Sequence, residues 1–366
     1  MRICHLLAAD TTEDDLIVIS GLLAALDARR FEQCVASVDG PTADRARQAL
    51  GLVVRRIELR WGGYAAFARR NWIANWRPNV VHVWSGESSL MTGLGGFDEP
   101  AVVISAAPGR LGADGARRRA DRLPSGATMI CDSRSVRDTF VRRGLDAARC
   151  VVVPPGVEAP APGDARGVLT REALGLAANQ PVLLTSGPPS RQGGQYDAVW
   201  AAALLQQIFP DVRLIVPGDS PERARLERFV RGFRLPQILI CTRHRWPFHQ
   251  LTALADVFVV PALTDVPTGP IVRAMAAGLP VVSSDVPAMR ERIDEATTGL
   301  FTPPGEPTQL AGAILRLLDD PELRGRFARA ARQQTTEAYP LETCVRQYEA
   351  VYEQASGRVG APSGER

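Results

Sequence analysis

Two doubly wound α/β domains, each a largely parallel sheet flanked by helices, are predicted by this 366-residue sequence. Three observations lead there. Its strand candidates are short apolar, β-branched runs without alternation, as expected of strands buried on both faces. They alternate with helical patterns from end to end, the signature of βα units. A stretch rich in Pro, Gly and Ala, EAPAPGDARG (158–167), divides them into two series.

The first series opens with RICHLLA (2–8), followed by an amphipathic helix over 15–29. In the intervening TTEDD (11–15), Thr11 with Asp14 or Thr12 with Asp15 matches a helix capping box. Further strands are expected at VVHVW (80–84), AVVISA (101–106), ATMICD (127–132) and CVVVPPGVE (150–158). His82, inside VVHVW, reads as a strand histidine satisfied by hydrogen bonds, with a catalytic role as the other reading; His5 and His249 carry no functional signal.

The second series runs PVLLTSG (181–187), VRLIVPG (212–218), ILICT (238–242), VFVVPA (257–262), PVVSSD (280–285) and GLFTPPG (299–305). After VFVVPA comes a loop with two prolines. Pro270 then opens a short helix, where its missing N–H costs nothing. Gly278 ends that helix, and Pro280 prevents its continuation. Such a loop lies at the carboxyl ends of the strands, where α/β sheets bind ligands. In YPLETCVRQYEAVYE (339–353), Val345, Tyr348, Val351 and Tyr352 follow helical spacing. The tail SGRVGAPSGER (356–366) reads as disordered.

The expected organisation is a first domain over 1–160, a second over 161–338, a helix over 339–355 returning to the first domain, and the tail.

Composition narrows the function. The apolar fraction is 45% and the charged fraction 23%, ordinary for a globular protein. With a net charge of +3, no general attraction to nucleic acid or membranes follows. No apolar run reaches the roughly 20 residues of a membrane span. The start lacks a signal-peptide layout. The six cysteines are scattered without a CxxC pair, mostly in or beside apolar segments, so they read as small core residues and a reducing cytoplasm fits. All 43 basic residues are arginine. A pyridoxal-phosphate Schiff base and a Walker A phosphate loop, both of which need lysine, are excluded.

The chain resembles the family-four glycosyltransferases of GT-B fold. The resemblance rests on MRICHL at the start, RPNVVHVW (77–84), CDSRSVRDTFVRRG (131–144) leading to VVVPPGVE (151–158), and ADVFVVPA (255–262). It continues through RAMAAGLPVVSSDVPAMRERI (273–293), TGLFTPPGEPTQLAGAILRLLDDPELRGRFARAAR (298–332) and YPLETCVRQYEAVYE (339–353). It implies two Rossmann-like domains facing a cleft, the second holding a nucleotide-sugar donor. The implied reaction is retaining transfer of the sugar to an acceptor hydroxyl, carbohydrate or lipid-linked, without a metal or other cofactor and without nucleic acid.

At the chemical groups the sequence departs from the family pattern. The family places two glutamates eight positions apart around a Gly-rich turn. Here the first falls on Asp265 and the second on Arg273, and the turn reads VPT (266–268). The Arg and Lys that hold the phosphates correspond to Pro188 and Gly193. The segment after AVVIS, where a sugar-contacting His is implied, reads AAPGR.

Substitutes are available. Arg191, with the N–H groups of Gly193 and Gly194 at a helix start, could hold a diphosphate; a surface arginine beside a turn is the other reading. Arg273 either meets a phosphate or pairs with Asp265. Thr268 and Gly269 offer N–H groups, or Thr268 simply caps the helix. Arg243 and His244 follow ILICT at a strand end, as base or phosphate contacts or as a surface basic cluster. The catalytic group is not identifiable, Asp265 being the residue at the family's first Glu position. A catalytically inactive homologue, acting as a binding or scaffolding protein, is the alternative to an active transferase.

Overall fold

The computed structural model describes residues 1–7, 11–37, 40–50, 54–56, 75–84, 101–106, 126–158, 169–242 and 245–359. The described chain forms two compact units, 1–156 with 341–366, and 157–340.

In the first unit the strands are β1 (Arg2–Leu7), β2 (Glu32–Ser37), β3 (Arg55–Arg56), β4 (Val80–Trp84), β5 (Ala101–Ala106), β6 (Thr128–Cys131) and β7 (Cys150–Val152). They form one seven-stranded sheet in the order β3-β2-β1-β4-β5-β6-β7. Every pairing is parallel. The order reverses between β1 and β4, so the switch point of this sheet lies there. Helices α1 (Glu13–Ala25), α2 (Gly40–Leu50) and α3 (Arg134–Arg142) belong to this unit.

The expected helix over 15–29 begins and ends earlier. Thr12 and Asp15 complete the capping box, each side chain meeting the other's backbone N–H, and this fixes the start at Glu13. Leu26 closes the helix in extended conformation.

In the second unit the strands are β8 (Val182–Thr185), β9 (Arg213–Val216), β10 (Leu239–Cys241), β11 (Val257–Val260), β12 (Val281–Ser284) and β13 (Gly299–Thr302). They form a parallel six-stranded sheet in the order β10-β9-β8-β11-β12-β13, switching between β8 and β11. Its helices are α4 (Gln195–Leu205), α5 (Arg223–Gly232), α6 (Phe248–Thr252), α7 (Gly269–Ala276), α8 (Pro287–Arg290), α9 (Pro307–Asp319) and α10 (Pro321–Ala338). The sheet is dry on both faces. Leu183, Leu214, Val257, Val259 and Val282 pack with α4 and α9, while Leu184, Phe258 and Val281 pack with α7. Gly278 ends the segment after α7 at φ +81°, a left-handed conformation that glycine adopts without strain.

The last helix, α11 (Leu341–Val359), belongs to the first unit. Val345, Tyr348, Val351 and Tyr352 bury its inner face in that unit's core. It runs to Val359, so residues 356–359 are helical where the sequence reads as the beginning of a tail. Residues 360–366 of the expected tail lie outside the described residues.

All six cysteines are free thiols. Cys4, Cys131, Cys150 and Cys344 are buried, and Cys34 and Cys241 half-buried.

Among the described residues no helix is long and apolar enough to cross a membrane. Nor do three His, Cys, Asp or Glu side chains among them gather as metal ligands.

Candidate functional site

The carboxyl edge of the second unit's sheet is built around the loop between β8 and α4. Its shape is set by backbone. Gly194 sits at φ +71°, and a Cβ placed there would lie 1.7 Å from the Pro261 carbonyl oxygen at the end of β11. Only glycine permits that approach. Leu263 donates its N–H to the Gln192 carbonyl at 2.9 Å, tying the loop to the segment after β11.

Gln195, fully buried at the start of α4, holds the loop from inside. Its Nε2 donates to the Ser186 carbonyl at 2.9 Å, and its Oε1 accepts from the Ser190 N–H at 3.0 Å. Sequence reading missed Gln195. The available signal is a polar side chain directly after two glycines at a helix start, where an internal brace is useful.

The structure shows how the expected donor groups are engaged. The Gly193 N–H donates to Ser190 Oγ at 2.9 Å, and the Gly194 N–H to the Arg191 carbonyl at 3.1 Å. Arg191 has 77% of its side chain exposed, with Nε 3.9 Å from Glu222 Oε2. Its guanidinium lies 5.5 Å from the centre of the Tyr196 ring.

On the facing segment, Asp265 Oδ1 accepts the Ala288 N–H at 2.9 Å. Ala288 is in the first turn of α8, so Asp265 satisfies a helix-end donor there. Thr268 is fully buried at the N-cap of α7, but its side chain does not cap that helix, because its backbone is already helical at φ −86° and ψ −10°. Gly269 is packed under Arg273. A Cβ at Gly269 would meet the Arg273 guanidinium at 3.1 Å, so the missing side chain makes room for it. Arg273 also lies over the Phe248 ring, 5.9 Å from its centre. Gly194, Asp265, Thr268, Gly269 and Arg273 therefore flank the β8/β11 switch point, with Arg191 at its outer rim. Arg243 and His244 lie outside the described residues.

Beside this loop, Asp197 in the first turn of α4 faces a shallow concavity shared with Ser284, Thr302 and Glu306. Burial raises its carboxyl above the usual aspartate range.

The first unit carries a second polar centre at its own switch point. His5 and His82 are register partners on β1 and β4, both fully buried. Trp84 Nε1 donates to His5 Nδ1 at 3.1 Å, which places the His5 proton on Nε2, 3.1 Å from Gln33 Oε1. His82 Nδ1 lies 2.8 Å from the Tyr352 hydroxyl of α11, and Nε2 lies 2.9 Å from Ser105 Oγ at the end of β5. Thr11 Oγ1 donates to the Trp84 carbonyl at 2.7 Å.

Burial lowers His5 to about 4 and pushes His82 well below the usual histidine range. Both rings are neutral near pH 7. The reading of His82 as a hydrogen-bonded strand histidine agrees with this geometry. His5, which carried no signal in the sequence, is half of the same network.

Comparison with known proteins follows the same division. Residues 169–334 match the family model described as glycosyl transferases group 1, and residues 17–159 the model described as glycosyltransferase family 4. An alpha-D-kanosaminyltransferase of Streptomyces kanamyceticus is 30% identical over 191 residues, covering 52% of this chain and 49% of that protein. A glycogen synthase of Mycobacterium tuberculosis is 30% identical over 212 residues, covering 56% and 45%. The chain thus spans about half the length of these curated relatives.

Among solved structures, Anabaena HepE in complex with UDP-glucose superposes with a TM-score of 0.79 at 19% identity, over 97% of this chain and 100% of that one. WaaG, a glycosyltransferase involved in lipopolysaccharide biosynthesis, gives a TM-score of 0.71 at 17% identity, over 98% and 99%. At such identities the likeness establishes the fold.

Proposed function

The chain belongs to the glycosyltransferase group 1 and family 4 proteins, and on that premise we propose that it transfers a sugar from a nucleotide-sugar donor to an acceptor hydroxyl, with retention. The observation that carries the reading is the close seat of Gly194 on the Pro261 carbonyl. It keeps the β8–α4 loop and the start of α4 at the carboxyl edge of the sheet, at the switch point where such folds bind nucleotides. The solved relative bound to UDP-glucose supports the donor class.

In this reading Arg191, Gly193, Gly194, Arg243, His244, Asp265, Thr268, Gly269 and Arg273 form the donor site. The departing nucleoside diphosphate gains negative charge as the glycosidic bond breaks. Arginine guanidinium groups stabilise that charge without a metal, and Arg273, placed beside the amino end of α7, is the main candidate. Asp265 stands where the family carries its first glutamate. Its bond to Ala288 ties one of its oxygens to the start of α8. Localisation in the cytoplasm and an acceptor that is a carbohydrate or lipid-linked sugar belong to the same proposal.

A specific observation favours a second reading, an inactive homologue that binds or scaffolds. The N–H groups of Gly193 and Gly194 and one oxygen of Asp265 are already used within the protein.

A thermal-shift screen against nucleoside diphosphates and their sugars, followed by a diphosphate-release assay, separates the two. A ligand at about 100 times its Kd adds about 2.7 kcal/mol of stability. A stabilising nucleotide-sugar that is also turned over is the expected result. Stabilisation without turnover supports the second reading, and absence of any stabilisation removes the donor site.

A further inference from the structure

The described surface exposes four large apolar side chains, and three of them form one stripe. Trp200, Leu204 and Ile208 are 46%, 38% and 56% exposed. Trp200 and Leu204 stand one helical turn apart on the outward side of α4, and Ile208 is exposed in the turn that follows it. The inner face of α4, with Ala198, Val199, Ala201, Ala202 and Leu205, is already buried against the sheet. The stripe lies outside the buried core, which Trp200 touches through Phe233.

The charge beside the stripe is one-sided. Trp200 meets Phe233 edge to face, with ring centres 5.8 Å apart, and Tyr196 meets Phe229 at 5.2 Å. These contacts lay α5 directly alongside α4. From Glu222 to Arg234 this neighbour carries five arginines against two glutamates. Arg223 pairs with Asp219 and Glu227, and Arg225 with Glu222. Arg228, Arg231 and Arg234 are exposed and enter no ion pair among the described residues. An exposed tryptophan with two aliphatic side chains, flanked by three unpaired guanidinium groups, suits one kind of partner. The apolar tips enter the headgroup boundary, where indole is favoured, while the arginines meet phosphate.

We propose that this face of α4 and α5 docks on an anionic lipid surface. The contact is independent of whether the switch-point site is active. A symmetric contact with a second copy would set these arginines against one another, because the acids beside them on α5 are already paired within it. The chain's modest net charge hides the feature, because the excess is local to the last turns of α5.

The test uses the full chain and vesicles of phosphatidylcholine, alone or mixed with phosphatidylglycerol, read by co-sedimentation at low and high salt. Sedimentation with the anionic vesicles only, weakened by salt, is expected. Arg228→Gln/Arg231→Gln/Arg234→Gln should lower partitioning roughly 100-fold, the equivalent of about 1 kcal/mol per arginine near an anionic surface. Leu204→Ser/Ile208→Ser should lower it with the charges intact. All five side chains are exposed, so both variants should melt like the parent protein, which keeps a loss of binding attributable to the surface. The proposal is overturned if the parent protein ignores anionic vesicles, or if either variant binds as well as the parent. It is equally overturned if Leu204→Ser/Ile208→Ser abolishes a concentration-dependent dimer while the parent shows no lipid binding, which would assign the face to a second copy.

Discussion

Lowering the pH from about 7.5 to about 5 should destabilise the first unit, through two histidines buried in its core. His5 titrates near 6.5 in an unfolded chain and at about 4 in the folded one, because its ring is buried without a counter-charge. A base whose folded value is depressed leaves stability intact above the unfolded value. Stability is lost as the pH falls below 6.5, where only the unfolded chain gains the proton, and the loss levels off below the folded value. For His5 the loss amounts to about 2 kcal/mol at pH 5, approaching about 3 kcal/mol below pH 4. His82 is depressed by burial and by its proximity to His5, so it adds a loss of the same sign. The His5 loss alone is a sizeable fraction of the 5–15 kcal/mol typical of a domain.

The assay is urea titration followed by hydrogen exchange of peptides from β1 and β4, repeated across this pH range. Carboxylates contribute mainly below it, so the slope reports histidine. His5→Asn keeps an oxygen acceptor near Trp84 Nε1 but cannot titrate. The variant should be less stable than the parent at pH 7.5 and lose stability less steeply toward pH 5. An equal slope in variant and parent, or a parent with no slope, would show that the buried rings do not control the acid side of the stability curve.

Three substitutions probe the second unit. Gly194→Ala must fit a methyl group against the Pro261 carbonyl at positive φ; a loss of roughly 3 kcal/mol or more is expected in a thermal melt, and a parent-like melting temperature would mean the loop moves freely. Asp265→Ala leaves the Ala288 N–H without its acceptor and should cost about 1 kcal/mol in a urea titration, with Asp265→Asn closer to the parent; identical midpoints for all three proteins would remove the capping role. Arg273→Glu removes a guanidinium packed on Gly269 and on the Phe248 ring and substitutes a poorly hydrated carboxylate. It should cost about 2–4 kcal/mol and gain no affinity for ribonucleotides. Parent-like melting together with tighter nucleotide binding would show instead that the position still has the shape of a ribose site.

The legible part of this fold was whatever a short window of sequence contains. VFVVPA and PVVSSD lie buried on both faces, so their apolar runs announced β11 and β12. Pro270 and Gly278 marked the ends of α7 because each acts through its own backbone. β2 was missed for the converse reason. Its Glu32, Gln33 and Cys34 are not fully buried, which breaks the apolar run, and its identity comes from register with β1 rather than from composition. The site was legible as a place and much less as chemistry. Arg191 sits three residues from the family's cationic position, yet it leans toward Glu222, 31 residues away (222 − 191). No local pattern encodes that partner. The His5 network is more remote still, drawing on Trp84 and Gln33, while neighbouring His82 reaches Tyr352.

The geometry of the β8–α4 loop also sets a limit on how tightly a donor can bind. In the proposed donor site Gly193 and Gly194 offer their N–H groups to a diphosphate, and both are donated internally, to Ser190 Oγ and to the Arg191 carbonyl. A phosphate that takes them must first break those bonds, each contributing about 0.5–1.5 kcal/mol net. A donor therefore begins at a disadvantage of about 1–3 kcal/mol, or roughly 5- to 150-fold in Kd, relative to a loop with open N–H groups. Ser190 is the removable half of that obstacle, because its hydroxyl does nothing else in the loop as described, whereas its backbone N–H continues to hold Gln195. If the loop is a donor site in a closed state, Ser190→Ala frees the Gly193 N–H at little cost to the brace and should tighten nucleoside diphosphate binding several-fold. If the internal bonds are the purpose of the loop, the same change lowers the melting temperature and brings no ligand.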